Sequence, residues 1–243
     1  MTGPLTTGRI PHLDLARTAA LGGMAVYHFF YDLELFGFLS RGTLQAGYWR
    51  AFAILIAGNF LFLSGASLFL AHHHGIRWRA LGRRILVLSA ASAAISLVTY
   101  LAFPDRFIHF GILHSITIAS LLGLPFVFLP SGVVIAAGAV VFVIPQVFRD
   151  DVFNVGWLLW TGLSTERRPS MDFEPVFPWF GIFLFGIAAA KLIAKFGGFR
   201  FLAAQRKSRV VEVLSWPGRN SLMVYFLHQP LILGILWIVQ KLA

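Results

Sequence analysis

The chain has 243 residues and no cysteine; 58% of it is apolar, only 12% is charged, and its mean hydropathy is +0.77. Soluble domains carry about 25% charged residues, so this composition excludes a water-soluble fold, and the missing cysteines exclude disulfides and thiolate nucleophiles. The net charge of +10 is spread over the segments between apolar runs and forms no stripe with interleaved aromatics, which fits the positive-inside rule and excludes a nucleic-acid partner.

A bilayer span takes about 20 apolar residues. By that measure the chain is all-α: a polytopic transmembrane helical bundle of about seven spans forming one domain, 1–243. The spans read at approximately 14–38, 49–71, 82–103, 108–129, 131–148, 177–196 and 219–240. No small-residue cleavage site follows the first apolar run, so that run is expected to stay as a span. The fifth follows the fourth after Pro130-Ser131 and contains Pro145; a six-span alternative makes it a re-entrant segment.

The first span carries the most informative residues. Asp14 and Arg17 are three apart and share a helix face near its start, where capping and snorkelling are the plain alternative role. His28 lies fourteen residues beyond Asp14, about 21 Å along a helix. His28 and Asp32 are four apart, so imidazole and carboxylate share a face. An ionisable group inside a span costs about 2.5–3.5 kcal/mol, which makes the pair a functional candidate by default. The alternative for His28 is a buried histidine that only bonds a neighbouring helix.

In the second span Asn59 is polar, and Ser64-Gly65-Ala66-Ser67 reads as close helix packing through small residues. The run His72-His73-His74 ends that span beside Arg77, Arg79, Arg83 and Arg84. Consecutive histidines point in different directions, and no metal is expected. The fourth span holds His109 and His114, either lining a cavity or serving structure. The stretch 149–176, with Trp157, Trp160 and Pro169, is long for a connection and reads as an outer binding loop or an interfacial loop. The last span opens GRNSLMVYFLHQP. Tyr225 and His228 share a face there, and Pro230 removes a helix hydrogen bond close by, as in helices that line cavities; a plain helix–helix hydrogen bond is the alternative role for His228 and Gln229.

Lysine and arginine orient the bundle. With the N-terminus inside, the cytoplasmic side holds Arg9, Arg17, Arg77, Arg79, Arg83, Arg84, Lys191, Lys195, Arg200, Arg206, Lys207, Arg209 and Arg219. The other side holds Arg41, Arg50, Arg106, Arg149, Arg167, Arg168 and Lys241, and most acids. This asymmetry predicts a cytoplasmic N-terminus.

The first-span pattern Arg9…Leu13-Asp14…Arg17…Met24…Tyr27-His28-Phe29…Asp32-Leu33 is followed by FLSGASLFL, HFGILHSI, FPWFGIFLFGI and GRNSLMVYFLHQP. Together, in this order, these blocks resemble the heparan-α-glucosaminide N-acetyltransferase catalytic-domain family, in particular its short bacterial members. One departure is Thr18, where the family usually has glycine after the first-span arginine. The resemblance implies a multi-pass acetyltransferase of the bacterial inner membrane. It would take an acetyl group from cytosolic acetyl-CoA and deliver it to a sugar amine or hydroxyl. The positions matching the family are Asp14, Arg17, His28 and Asp32.

On this reading His28 is the general base or a transient acyl-histidine nucleophile, and Asp32 fixes its tautomer. Asp14, Arg17, Arg79, Arg83, Arg84, His114, Tyr225 and His228 are the residues expected to bind acetyl-CoA. The arginines would hold its phosphates, and Asn59, His114 or Tyr225 would donate to the oxyanion. The expected partners are membrane lipid and a saccharide-type acceptor, with a homodimer open. The rival reading is a non-enzymatic transporter or a helper subunit of an envelope-polymer pathway; a third is an O-acyltransferase with another acceptor.

Overall fold

The computed structural model describes residues 10–45, 47–166, 168–199 and 208–242. Of the topology-bearing cations, Arg9, Arg167, Arg200, Arg206 and Lys207 lie outside the described residues. The described residues are helical with no named strand. The helices are α1 (Pro11–Leu35), α2 (Gly47–His72), α3 (Trp78–Ala102), α4 (Ile112–Leu122), α5 (Ser131–Val147), α6 (Val176–Lys195), α7 (Arg209–Leu214), α8 (Trp216–Arg219) and α9 (Ser221–Leu242).

A helix occupies each of the seven apolar segments, but the helices differ in their capacity to cross a bilayer. Four of them, α2, α3, α6 and α9, are long and apolar enough. α1 has the length, 25 residues, but Asp14, Arg17, His28, Asp32 and Glu34 interrupt its apolar run. α5 has 17 residues, or about 26 Å of helix. α4 is only 11 residues, about 16 Å, so the expected helix over 108–129 is much shorter than its apolar run. Its first residues are extended instead, and Pro125 opens a separate short turn, Pro125–Val127.

The chain divides into two compact units, residues 1–60 with 197–243, and residues 61–196. In the first unit α1 packs against α8 and α9. Gly218 permits the close approach: a Cβ there would sit 1.9 Å from the Asp14 carbonyl oxygen. The Glu34 carboxylate accepts from the amides of Gly42 and Leu44, at 2.7 and 3.1 Å, and so ties down the turn that follows α1.

In the second unit Leu61, Leu68, Phe183, Leu184 and Ile187 are fully buried and form the core. α5 and α6 meet at Gly138 and Gly181, and Gly65 and Gly186 let the α2 and α6 backbones touch. The central window of α6 is half buried, whereas α3 leaves Leu86, Leu97, Val98 and Leu101 exposed, as a lipid-facing helix would.

The stretch 149–176 is not a free loop. Its end folds onto the segment before α4: Met171 N donates to Arg106 O at 2.9 Å and Glu174 N to Phe110 O at 3.0 Å. Phe110 and Phe173 form a parallel bridge. The Ser170 hydroxyl donates to Phe107 O at 3.0 Å, and Asp172 Oδ2 accepts from Ile112 N at 2.9 Å.

Candidate active site

In the first unit, α1 and α9 bring together four residues singled out from the sequence: His28, Asp32, Tyr225 and His228. The rings of His28 and His228 stand 5.0 Å apart at 67°, and Tyr225 lies 5.8 Å from His228. Tyr27 and Tyr31 flank His28 at 5.9 and 6.5 Å. Asp32 is fully buried, and His28 and His228 are half-buried.

The direct bond between His28 and Asp32 that their spacing predicts is not formed. Gln229 takes the carboxylate instead, its Nε2 donating to Oδ1 at 2.9 Å and to Oδ2 at 3.0 Å. His228 Nδ1 lies 2.6 Å from the Tyr225 carbonyl. Three buried polar atoms of this cluster have no hydrogen-bond partner among the described residues: His28 Nδ1, His228 Nε2 and Gln229 Oε1. The plain helix–helix hydrogen bond read for Gln229 is the one it makes; what the sequence did not identify is its partner, Asp32 on α1.

Fourteen residues back along α1, a second polar cluster surrounds Asp14, which is 1% exposed. Arg17 Nη1 donates to its Oδ1 at 2.8 Å, and Arg219 Nε approaches Oδ2 at 3.8 Å. Thr18, the departure from the family pattern, knits this cluster together. Its hydroxyl donates to Asp14 O at 3.1 Å and accepts from Gly218 N at 2.9 Å. Arg219 entered the sequence reading only as a topology charge, because nothing local links it to Asp14.

The remaining expected residues belong to the second unit. Arg79 and Arg83 are exposed on α3 and Arg84 is half-buried, close enough to His72 to act on it electrostatically. His114 has both nitrogens engaged: Nδ1 accepts from Gly111 N at 3.2 Å, and Nε2 lies 3.2 Å from Ser96 Oγ, which itself donates to Ile108 O at 2.7 Å. The hydrogen is thereby fixed on Nε2, and the ring buttresses the extended segment before α4.

The Asp172 carboxylate accepts a hydrogen bond from the start of α4, and the Glu174 carboxylate near it accepts one from Trp179 on α6. Burial pushes the Asp172 carboxyl up to about 6 against the opposing pull of the Ile112 amide. Burial and the neighbouring Asp172 raise Glu174 well above the usual carboxylate range.

A family model described as heparan-alpha-glucosaminide N-acetyltransferase, catalytic, matches residues 9–230. No curated protein and no solved structure matches the chain.

Proposed function

The chain belongs to the heparan-α-glucosaminide N-acetyltransferase catalytic family, and from that membership we propose a membrane acetyltransferase that moves acetyl from cytosolic acetyl-CoA to a sugar amine or hydroxyl at or across the membrane. The observation that carries the reading is the pair of polar clusters on α1. An apolar helix holds a caged acid with two guanidinium groups at one end and, about 21 Å further on, a two-histidine cluster with unpaired buried atoms.

The first cluster suits the donor's phosphates. Guanidinium groups bind phosphate through charge-assisted hydrogen bonds, and the side chains of Arg17 and Arg219 stay 24% and 30% exposed. The Asp14 carboxylate holds Arg17 through a hydrogen bond and attracts Arg219 at 3.8 Å before a ligand arrives. The thioester arm then runs along α1 toward His28, which acts as general base or as a transient acyl-histidine. Asp32 serves through Gln229, and Tyr225 is the nearest candidate donor to the oxyanion.

We take the whole chain, 1–243, as one such domain with seven spans, α1, α4 and α5 completing the four that qualify by length and hydropathy. It sits in a bacterial inner membrane among lipid, with its N-terminus cytoplasmic and a saccharide as the acceptor. Detergent-purified protein, labelled acetyl-CoA and glucosamine as acceptor test the reading. Acetylated sugar and free CoA are expected. Absence of both acetyl-CoA binding and CoA release overturns it and favours a transporter or helper subunit.

A further inference from the structure

The two imidazoles of the α1–α9 cluster are not equivalent. His228 Nδ1 is 2.6 Å from the Tyr225 carbonyl, and a carbonyl only accepts. Nδ1 therefore carries the hydrogen, and neutral His228 keeps its lone pair on Nε2. That nitrogen is buried without a partner among the described residues, and so is Nδ1 of His28 on the facing ring. Buried polar atoms left unpaired are costly, and they persist where a ligand completes them. Asp32 bonds Gln229 Nε2 and neither ring. What Asp32 holds is the residue next to His228, so it sets the register at which α9 presents His228 to α1.

We infer that His228 is the general base for the acceptor when His28 acts as the acyl-histidine of the proposed function. This rests on the acetyltransferase reading of the same site. In the first half-reaction a His28 nitrogen attacks the thioester carbonyl. The C–N bond forms, the C–S bond breaks, and the proton lost by the imidazole ends on the CoA sulfur. In the second, the acceptor hydroxyl or amine attacks the acetyl carbon. The new C–O or C–N bond forms as the bond to His28 breaks. The acceptor's proton passes to His228 Nε2, and from there to the imidazole nitrogen that His28 regains. The Tyr225 carbonyl holds the Nδ1 hydrogen of His228 throughout and stabilises the transient imidazolium.

The two half-reactions can be read separately on the full chain in detergent, with labelled acetyl-CoA alone and then with glucosamine added. His228→Asn keeps a donor at the δ position for the Tyr225 carbonyl and has no ε nitrogen. It is expected to release CoA and label the protein from donor alone as wild type does, while transfer to the sugar falls about 10²–10⁴-fold. His28→Ala is expected to lose labelling and transfer together. Near-wild-type transfer by His228→Asn overturns the assignment, as does labelling that persists in His28→Ala, or wild-type protein that transfers acetyl yet releases no CoA without acceptor. Should His228→Asn fail to fold, judged by size exclusion, His228→Gln is read by the same two phases. Wild-type protein that neither releases CoA nor acetylates sugar overturns the acetyltransferase reading itself, and this inference with it.

Discussion

At the residue scale, Asp32 shows how a carboxylate can matter to a histidine that it does not touch. Its bonds run to Gln229, so Asp32→Asn should leave one amide facing another and disturb α9 locally. Transfer is expected to fall by no more than in His28→Ala, for which loss of a base or nucleophile costs about 10²–10⁴-fold. Acetyl-CoA binding, measured by calorimetry, should survive both, since Asp14, on which Arg17 and Arg219 converge, lies about 21 Å back along α1. Loss of binding in His28→Ala would place the donor's nucleotide elsewhere. Asp172 offers a prediction outside the spans. Its folded-state value, about 6, is above the ordinary 3.8, so the folded chain binds the extra proton between those values. Its contribution to stability is therefore favourable on the acid side and is lost as pH rises from about 4 through 6, and Glu174 shifts in the same direction. Asp172→Asn keeps an acceptor for the Ile112 amide and loses the charge. Thermal unfolding in detergent from pH 4 to 7 should then show a flatter pH dependence, with the variant no less stable than wild type at pH 7. An unchanged slope would remove Asp172 from the account.

At the element scale, the helices were legible because lipid demands long apolar runs, and these survive in the sequence without reference to any partner. The Ser64-Gly65-Ala66-Ser67 stretch was legible for the same reason: small residues in a span mark backbone contact. Gly65 bears this out, since a Cβ there would lie 2.0 Å from Phe183 O, and Gly186 faces Phe62 O at the same distance. Gly65→Ala and Gly186→Ala should each destabilise by about 1–3 kcal/mol, seen as a lower Tm. Gly82→Ala on α3, where nothing lies within 4 Å, should be neutral or slightly stabilising, by up to about 1 kcal/mol. Equal Tm values for all three would contradict the packing. What stayed hidden depends on residues far apart in the chain. The segment before α4 is extended because residues 170–174 bond to it from some 60 positions away, and no local pattern announces that. Arg219 reaches Asp14, and Gln229 reaches Asp32, across almost the whole chain. The spacing argument picked out His28 and Asp32 as companions on α1; it could not supply the α9 residues that separate their roles.

At the scale of the whole molecule, charge is expected to set both donor attraction and orientation. Arg79 and Arg83 are exposed, so their pull on an anionic donor is screened over about 8–10 Å at ordinary salt. Affinity for acetyl-CoA should weaken as salt rises, and a triple neutralisation of Arg79, Arg83 and Arg84 should flatten that dependence. Unchanged affinity and slope would leave these arginines as topology signals only. Orientation gives the more decisive test. Seven spans with a cytoplasmic N-terminus put the end of α9, with Lys241, on the outer side. Four helices qualify as spans outright, while ionisable residues interrupt the apolar run of α1 and α4 and α5 are short, so the parity of the count turns on those three. A helix shorter than the hydrocarbon can still cross where extended chain beside it is bonded to protein, as residues 106–112 are through residues 170–174. A periplasm-active phosphatase fused after Ala243 should be active, and a fluorescent protein fused there dark. The reverse pair of signals would mean an even number of spans, and α5, with Pro145 inside it, would be the first to be reassigned as re-entrant.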